Sequence, residues 1–483
     1  MMTNELIIPS IILAHVALQL SFVVRALLRP HREASSRAAW VLIILTMPTI
    51  GMIAYVLFGE TSIGRERLRK YRLDARRVQK EAAAGLLEGE FDKVDQRFRH
   101  LFRLGQSVNG LGPLGGNSGQ LIDDTNEAFR QMIADIDAAR DSVHLLFYIW
   151  LDDTNGLKVA EAAQNAARRG VTVRVMADDI GSRKFIRSEH WKAMQEAGVR
   201  TERALPVSRM ILHPIRGRVD LRNHRKIAVI DNSIAYCGSP NCADPEFRVK
   251  PRFAPWVDQM VRFEGPVAVQ TQYLFVEDWM AHTDDDLLRY IRNCPATDGD
   301  GSIVTQTIGT GPTIRNSAMP EVFEVLFHAA RKDLLVTTPY YVPSDAMHDA
   351  LCLTARRGVN TVLMLPEKND SWIVAAASRS YYRELIEAGV QIYEYADGLL
   401  HSKILTLDCE VALIGSANLD RRSFELNYEN NVLLQDRDLT SSLVARQESY
   451  IAASRLIRIE EIEEWSRARR LWNNAVGMMG PVL

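Results

Sequence analysis

Residues 224–242 read HRKIAVIDNSIAYCGSPNC, and residues 401–424 read HSKILTLDCEVALIGSANLDRRSF. Both stretches carry the pattern H-x-K-x4-D followed by G-S-x-N, and their histidines are 177 residues apart. The polar residues recur at the same spacing, whereas the apolar residues between them differ. A polar pattern that appears twice in this way indicates an internal duplication whose two copies serve one chemical task.

The chain also repeats itself outside these motifs. ARRGVTVRVM at 167–176 matches ARRGVNTVLML at 355–365, and EAGVRTE at 196–202 matches EAGVQIYE at 387–394. Each copy reads as a helix that ends at a glycine and is followed by a β-branched strand. Alternating strands and helices predict an α/β fold with largely buried sheets. We therefore expect two homologous α/β sandwich halves, residues 120–300 and 301–483, that share one active site.

Two uncharged apolar segments precede the repeats, at residues 6–24 and 38–58. Each is long enough to cross a membrane, which takes about 20 helical residues. A cleaved signal peptide fits the first segment poorly, because MMTNE has no basic residue and no A-x-A site follows. A buried globular hairpin is the other alternative. We expect residues 1–60 to be a membrane anchor with two transmembrane helices, and residues 61–119 to be a basic juxtamembrane connector that ends in a glycine-rich boundary.

The distribution of charge predicts an orientation and disfavours one class of partner. Seven basic residues follow the second apolar segment, at 65–77, against four in the loop at 25–37. This excess favours a cytoplasmic main domain. The net charge of −2 lacks the basic field of a nucleic-acid-binding protein. The five scattered cysteines predict reduced thiols rather than disulfides or a zinc site.

The first polar residues of each motif lie on a predicted strand. Residues i and i+2 of a strand point to the same face, so the histidine and lysine of each motif project together. An aspartate seven positions after each histidine falls in the next turn, where it either hydrogen-bonds the turn or orients the neighbouring lysine. The residues expected to be catalytic are His224, Lys226, Asp231, His401, Lys403 and Asp408.

Such a cluster suits phosphoryl transfer without a metal. Two lysines and two asparagines neutralise and orient a phosphodiester. One neutral histidine attacks phosphorus, and the other protonates the leaving alkoxide. Lysine is no zinc ligand and no third or fourth donor recurs, so we expect no metal and no cofactor. The hydroxyl and amide side chains that complete the two copies are Ser239, Asn241, Ser416 and Asn418.

In each histidine, the ring nitrogen that does not react with the substrate also needs a hydrogen-bond partner that holds the ring in place. A carboxylate beside a β-like run follows each of them: Asp258 lies 34 residues after His224, and Glu429 lies 28 residues after His401. We expect each carboxylate to orient the histidine of its own half.

These motifs resemble the signature of the phospholipase D superfamily. Three further stretches are similar to bacterial cardiolipin synthases: RPHREASSRAAWVLIILTMPTIGMIAYVLFG in the anchor, EGPVAVQTQYLFVEDW and SANLDRRSFELNYE. The resemblance covers nearly the whole chain. It implies a multi-pass enzyme of the bacterial inner membrane that joins two phosphatidylglycerols into cardiolipin and glycerol through a phosphatidyl-histidine.

The resemblance also implies a role for each residue of the site. His224 would be the nucleophile and His401 the acid and base, although nothing in the sequence itself distinguishes them. Lys226, Lys403, Asn241 and Asn418 would hold the phosphate, Ser239 and Ser416 would support the site, and Asp258 and Glu429 would orient the histidines. The implied partners are phosphatidylglycerol and membrane lipid, with no nucleic acid. The oligomeric state is left open, with a homodimer as one candidate.

Three other functions are compatible with parts of this pattern. A phospholipase would pass the phosphatidyl group to water with the same residues, because only water exclusion and the acceptor site separate the two reactions. A nuclease also cleaves a phosphodiester, but the apolar segments and near-neutral charge disfavour it. A non-catalytic membrane scaffold is disfavoured by two intact motifs.

Two further features carry expectations. Pro240 lies between the serine and asparagine of the first copy and has no N–H, so the first half-site would be weaker if the backbone there donates to phosphate. The C-terminal stretch EEIEEWSRARRLWNNAVGMMGPVL begins as a helical pattern of mixed charge. A surface helix is favoured there over a membrane-binding one.

Overall fold

One mixed sheet of 16 strands passes through both halves of the chain. The computed structural model describes residues 2–30, 34–60, 65–206, 218, 220–292, 301–315 and 317–478, with side chains described from residue 7 onward except at 65–67. The expected boundary between the halves, at residue 300, lies outside the described residues.

The strands of the two halves are short and mostly buried. Those of the first half are β1 (Leu114–Ile122), β2 (Ser142–Phe147), β3 (Thr172–Asp178), β4 (Arg200–Ala204), β5 (Arg222–Asn223), β6 (Ile227–Ile230), β7 (Ile234–Gly238), β8 (Trp256–Val257) and β9 (Met260–Glu264). Those of the second half are β10 (Ile303–Thr310), β11 (Asp333–Thr337), β12 (Tyr341–Val342), β13 (Asn360–Pro366), β14 (Gln391–Tyr395), β15 (Leu399–Leu400), β16 (Ile404–Leu407), β17 (Val411–Gly415), β18 (Leu419–Asp420), β19 (Asn427–Gln435) and β20 (Ser454–Leu456).

The helices cover both faces of this sheet and form the N-terminal anchor. They are α1 (Met2–Leu28), α2 (Ala34–Thr46), α3 (Pro48–Phe58), α4 (Arg65–Glu81), α5 (Ala84–Glu88), α6 (Arg99–Asn109), α7 (Thr125–Ala138), α8 (Thr154–Arg168), α9 (Arg183–Ile186), α10 (Glu189–Glu196), α11 (Val267–His282), α12 (Ala318–Ala329), α13 (Asp345–Arg356), α14 (Trp372–Ser380), α15 (Tyr382–Glu387), α16 (Arg437–Ala452), α17 (Ile459–Glu463) and α18 (Arg467–Gly477).

The two halves of the sheet have the same strand order. Outward from the centre, the first half runs β9-β7-β6-β2-β3-β4 and the second half runs β19-β17-β16-β11-β13-β14. In both halves the last three of these strands pair in parallel. Strands β1 and β10 pair antiparallel between the halves and join them into one sheet. This matched order confirms the predicted duplication of an α/β unit.

The glycine-rich stretch at 109–119 is part of the sheet rather than a linker. It enters β1, so the expected domain boundary at residue 119 falls inside a central strand. The register between β1 and β10 shifts between Leu114 and Asn117, and Gly116 there has a φ of +70°. Glycine adopts this left-handed conformation without a steric penalty, so the glycines form a β-bulge instead of ending the fold.

Two short strand pairs connect the halves beside the sequence motifs. Strand β5, directly before His224, pairs in parallel with the start of β19. Strand β15, directly before His401, pairs in parallel with β8. The histidine N–H groups continue these pairings, because His224 N donates to Tyr428 O at 2.9 Å and His401 N donates to Val257 O at 2.8 Å. Each motif is therefore built onto backbone of the other half.

The first predicted membrane segment is one long helix, and the second is not. Within α1, residues Ile7–Leu28 have a mean hydropathy of 2.1, and among the described residues this is the one helix long and apolar enough to cross a membrane. The second segment is divided at Pro48 into α2, of 13 residues, and α3, of 11 residues. At 1.5 Å per residue these span only about 20 and 17 Å, less than the roughly 30 Å hydrocarbon core.

Helix α3 folds back along α2 instead of continuing it. The rings of Trp40 and Tyr55 are 5.3 Å apart, although 15 residues of continuous helix would separate them by about 22 Å. A Cβ on Gly51 would lie 2.5 Å from the carbonyl oxygen of Ile43, so only glycine permits this approach. The structure therefore does not confirm a second spanning helix, because a proline and a close-packing glycine turn the segment into a hairpin of two short helices.

The connector packs on the main domain along α4. Lys70 and Arg77 of α4 form ion pairs with Asp284 and Asp286, and Glu81 pairs with Arg292. Part of the basic charge counted at 65–77 is thus matched by acidic residues that follow α11.

Candidate active site

The two histidines are held by carboxylates from opposite halves of the chain. His224 Nδ1 is 2.9 Å from Glu429 Oε2, and His401 Nδ1 is 2.7 Å from Asp258 Oδ1. The expectation that each carboxylate serves the histidine of its own half is therefore wrong. The reason is the pairing of β5 with β19 and of β8 with β15, which brings each histidine to the strand of the other half.

Both imidazoles are prepared to act through Nε2. A carboxylate on Nδ1 fixes the proton there and leaves a lone pair on the other nitrogen. Burial, only partly offset by Glu429, lowers the pKa of His224 to about 4. Burial together with the nearby Lys403 also lowers the pKa of His401. Both histidines are therefore neutral near pH 7, which is the form that a nucleophile or a general base requires.

The carboxylates remain charged despite being buried. Burial alone would raise their pKa values, but His401 and Lys403 hold the pKa of Asp258 at about 2. His224 and Lys226 likewise hold the pKa of Glu429 below its ordinary value. Two negative charges thus offset the two lysines of the cluster.

The two lysines lie inside the same buried cluster. Lys226 Nζ donates to the carbonyl of His224 at 2.9 Å, and Lys403 Nζ makes the equivalent contact with the carbonyl of His401. Burial lowers the pKa of Lys226 to about 8 and that of Lys403 to about 7. Because desolvation disfavours their charge, an incoming anion stabilises the protonated form of both. The cluster therefore favours a phosphate.

The two motif asparagines have amide atoms available for a ligand. Asn241 and Asn418 are only 5% and 4% exposed, yet neither Oδ1 has a hydrogen-bond partner. Buried polar side chains nearly always have a partner, so these two amides indicate a polar ligand at this position. The two asparagines hold equivalent places in the two motifs, and a phosphoryl oxygen would accept from their Nδ2 groups, because Oδ1 can only accept.

The two motif serines fasten their loops to the strands that carry the carboxylates. The Ser416 hydroxyl donates to Glu429 Oε2 and accepts the Asn430 N–H at 3.0 Å. The Ser239 hydroxyl contacts Gln259 Oε1 at 3.0 Å and the Gln259 N–H at 3.3 Å. These contacts are those of supporting residues.

Pro240 does not remove a phosphate donor. Its counterpart in the second half is Ala417, whose N–H donates to Asn431 Oδ1 at 3.3 Å and not into the cluster. Gln259 and Asn430 make equivalent contacts with the motif serines, so the residue of the first half that corresponds to Asn431 is the next one, Met260. Met260 has no side-chain oxygen that could accept a hydrogen bond. The first half thus lacks both the donor and the acceptor of this one hydrogen bond.

Asp231 and Asp408 are not brought to the cluster. Asp231 accepts the N–H groups of Arg140, Asp141 and Ser142 at 2.8–2.9 Å, at the far end of β6 from His224. Asp408 accepts the corresponding N–H groups at 331–333. Of the two expected roles, the structure contains the hydrogen-bonded turn, so a direct catalytic role for either aspartate is contradicted.

Sequence reasoning missed several residues of the site. Asn430 Oδ1 accepts the Lys226 N–H at 2.8 Å, and Gln259 Nε2 donates to Lys403 O at 3.4 Å, so each amide supports the lysine of the other half. Both directly follow the carboxylate of their half, and this shared D-Q and E-N spacing is a signal in the sequence. Tyr148 and Trp256 also line the site, with ring centroids 4.9 Å from His224 and 4.5 Å from His401.

Comparison with known proteins gives consistent matches along the chain. The family described as cardiolipin synthase, PLD-like domain, matches residues 132–250 and 324–450, and the phospholipase D-nuclease N-terminal family matches residues 17–60. Cardiolipin synthase A of Klebsiella pneumoniae (strain 342) is 36% identical over 459 residues, 93% of this chain and 92% of that protein. Cardiolipin synthase A of Pectobacterium carotovorum subsp. carotovorum (strain PC1) is 35% identical over 467 residues, 95% of each chain.

A solved structure supports the same fold. The crystal structure of phosphatidylserine synthase from Haemophilus influenzae Rd KW20 superposes with a TM-score of 0.57, at 14% identity, over 80% of this chain and all of that one.

The turn aspartates provide a test of their assignment. We expect Asp408→Ala to lower the free energy of unfolding by about 2–3 kcal/mol, because a charged acceptor of several backbone N–H groups is lost. Asp408→Asn, which keeps one acceptor oxygen, should lose less. Thermal unfolding of both variants in detergent measures this loss, and the turnover of the folded fraction should stay within about twofold of the parent. Lost turnover with an unchanged unfolding midpoint would contradict the structural role.

Proposed function

Because this chain belongs to the cardiolipin synthase family with phospholipase D-like domains, we propose that it transfers a phosphatidyl group from one phosphatidylglycerol to another and releases glycerol. The observation that carries the proposal is the shared cluster at the junction of the halves. Two histidines that are neutral near pH 7 before an anion binds and two buried lysines lie within it, and the two motif asparagines each have an Oδ1 atom without a hydrogen-bond partner. Such a cluster binds one phosphodiester and supplies both a nucleophile and an acid.

The first step forms a bond between His224 and phosphorus. The Nε2 lone pair attacks the phosphodiester of one phosphatidylglycerol, and the bond from phosphorus to the headgroup glycerol breaks. The negative phosphodiester and Asp258 together favour the imidazolium form of His401, which takes up a proton from solvent as the substrate binds and transfers it from Nε2 to the leaving oxygen, so that neutral glycerol departs. The lysines and asparagines stabilise the charge that builds on the phosphoryl oxygens.

The second step reverses these roles with a new alcohol. The headgroup hydroxyl of a second phosphatidylglycerol gives its proton to His401 and attacks phosphorus. The bond between phosphorus and Nε2 of His224 breaks, which yields cardiolipin and restores neutral His224. Atoms and charges balance over the cycle, and no water takes part.

The surroundings of the carboxylates support this division of labour. Glu429 accepts hydrogen bonds from Ser416 and Asn427 in addition to His224, which spreads its charge over three donors. Asp258 accepts from fewer donors, His401 and the Ser239 hydroxyl, makes the shorter contact with its histidine, and has its pKa held at about 2. A carboxylate with concentrated charge stabilises an imidazolium better, so His401 suits the acid and base role.

Product analysis tests the proposed function. Full-length protein in phosphatidylglycerol vesicles, with chelator present, is expected to form cardiolipin and an equal amount of glycerol. Phosphatidic acid as the only lipid product would instead identify a phospholipase and overturn the synthase. A His224→Ala, His401→Ala double variant is the control for adventitious lipid exchange.

A phosphatidyl ester of p-nitrophenol tests which histidine is the nucleophile. This leaving group needs no acid, so His401→Ala should release a burst of about one p-nitrophenol per site and retain the phosphatidyl group on His224. His224→Ala should give no burst. The adduct is located by mass spectrometry under alkaline conditions. An adduct on His401 in the His224→Ala variant would reverse the assignment.

The proposal extends to the membrane topology. The chain crosses the membrane once, through α1, and the α2–α3 hairpin enters from the cytoplasmic side and returns to it. Glu60, just after α3, supports this topology because it pairs with Arg25 and Arg29 at the end of α1. The basic loop at 25–37 and the basic segment at 65–77 then lie on one side of the membrane with the catalytic domain, as the distribution of positive charge favours.

Cysteine labelling distinguishes this topology from two full spans. Ala34→Cys, at the first residue of α2, and Ser107→Cys, in α6 beside the main domain, are both at exposed positions. In spheroplasts, we expect a membrane-impermeant maleimide to label neither until the membrane is permeabilised. The parent chain with its native cysteines gives the background. Labelling of Ala34→Cys alone in intact spheroplasts would support two spans and refute the hairpin.

A further inference from the structure

The last helix turns an apolar stripe away from the domain. In α18, Leu471 and Trp472 are 73% and 50% exposed, and Met478 just after the helix is 80% exposed. The side that packs on the domain includes Asn473, which is 4% exposed, beside the apolar Val476. A surface helix ordinarily buries its apolar stripe and exposes its polar residues. The exposed stripe of α18 therefore suits surroundings other than water.

A second exposed tryptophan extends this stripe. Trp372, the first residue of α14, is 65% exposed, and its ring stacks on Trp472 with centroids 5.6 Å apart. The helices pack closely, because a Cβ on Gly477 would lie 2.6 Å from Ser380 Oγ. We name the four residues Trp372, Leu471, Trp472 and Met478 the tryptophan patch. A contiguous apolar patch on a soluble face marks an interaction surface.

The tryptophan patch lies next to the edge of the active site. Two residues before Trp372, Asp370 accepts from Tyr340 Oη at 2.6 Å and pairs with Lys250 Nζ of the first half at 2.6 Å. Tyr340 is close enough to Tyr148 for their phenol groups to interact, and the Tyr148 ring is 4.9 Å from that of His224. A series of contacts through Asp370, Tyr340 and Tyr148 therefore connects the segment that carries Trp372 to the ring of His224.

The charges around the patch match an anionic lipid surface. Arg467 and Arg470 are exposed on α18, on the flank of the apolar stripe. Tryptophan and leucine on one side with arginine alongside is the composition of helices that lie in the membrane interface. A bilayer supplies both an apolar layer for the stripe and anionic headgroups for the arginines. Helix α1 is long and apolar enough to be embedded in a bilayer, and an embedded α1 would keep the bilayer surface close to the domain.

We propose that the tryptophan patch inserts into the interfacial layer of an anionic bilayer and thereby holds the active site close to its lipid substrate. Sequence analysis favoured an ordinary surface helix at this place, and the exposed stripe is the reason for the change. The proposal rests on the proposed function in one respect, that the substrate is a membrane lipid. A second copy of this chain is the alternative occupant.

Depth-dependent quenching tests the insertion directly. Full-length Leu471→Cys, carrying a polarity-sensitive fluorophore, is reconstituted in vesicles of phosphatidylglycerol and phosphatidylcholine. We expect a blue-shifted emission that nitroxide-labelled lipid quenches about threefold more strongly than aqueous iodide does. Glu448→Cys, at an exposed position on α16, should show the reverse order, and the unsubstituted chain corrects for native cysteines. Equal quenching at both positions would overturn the proposal.

Enzyme kinetics give a second, separable readout. Leu471→Ser combined with Trp472→Ser should lower the rate on vesicles about tenfold and leave the rate in mixed detergent micelles within twofold, because micelles deliver substrate without docking. An equal loss in both systems, or no loss on vesicles, would count against docking. If the fluorophore is not quenched by lipid, and energy transfer between labelled copies rises with protein density, the occupant of the patch is a second copy of this chain instead. If the parent makes no cardiolipin, the proposed function fails, while the quenching experiment still decides the insertion.

Discussion

Each of the two motif histidines depends on a carboxylate that belongs to the other half of the chain. The pairs His224–Glu429 and His401–Asp258 are buried, and the short strand pairs β5–β19 and β8–β15 place them. A buried polar group that loses its hydrogen-bond partner costs about 1–3 kcal/mol, and a charged group such as these carboxylates costs more. A half on its own would keep a lysine and a carboxylate without the groups that offset their burial. The joining of the two sheets through β1 and β10 is therefore a requirement of the site and not only of the fold.

The crossed pairing also explains why the two copies share their polar motif residues but differ in the apolar residues between them. The histidine and lysine of one copy are held by the carboxylate and the following amide of the other copy. Asn430, for example, accepts the N–H of Lys226. The strands between them need only fill the interior, so IAVI and ILTL serve equally. Where the copies do differ, at Pro240, the difference is matched by Met260 on the neighbouring strand, so that no buried donor or acceptor is left alone.

The sequence was sufficient for the duplication, the α/β class and the residues of the cluster, because these follow from local spacing and strand periodicity. It was insufficient for contacts that depend on where one half lies against the other. The partner of each histidine was predicted within its own half, since separation along the chain says nothing about strand pairing across the junction. The anchor shows the same limit. An uncharged run of 21 residues at 38–58 satisfies any length criterion, yet Pro48 and the close approach at Gly51 fold it back.

The single cluster constrains the order of the reaction. One phosphorus position lies between the two histidines, so the headgroup glycerol of the donor must leave before the glycerol of the acceptor enters. The leaving and entering groups are both glycerol hydroxyls, so the proposed transfer exchanges one phosphodiester for another with little chemical driving force. Glycerol then carries the reaction forward by escaping into water, whereas both lipids stay in the membrane. Water itself must be kept from the phosphatidyl-histidine, and the two histidines, two lysines and two asparagines of the motifs are residues that are each at most 8% exposed. Burial of the cluster, which costs the lysines part of their charge, is thus the same property that favours a lipid alcohol over water as acceptor.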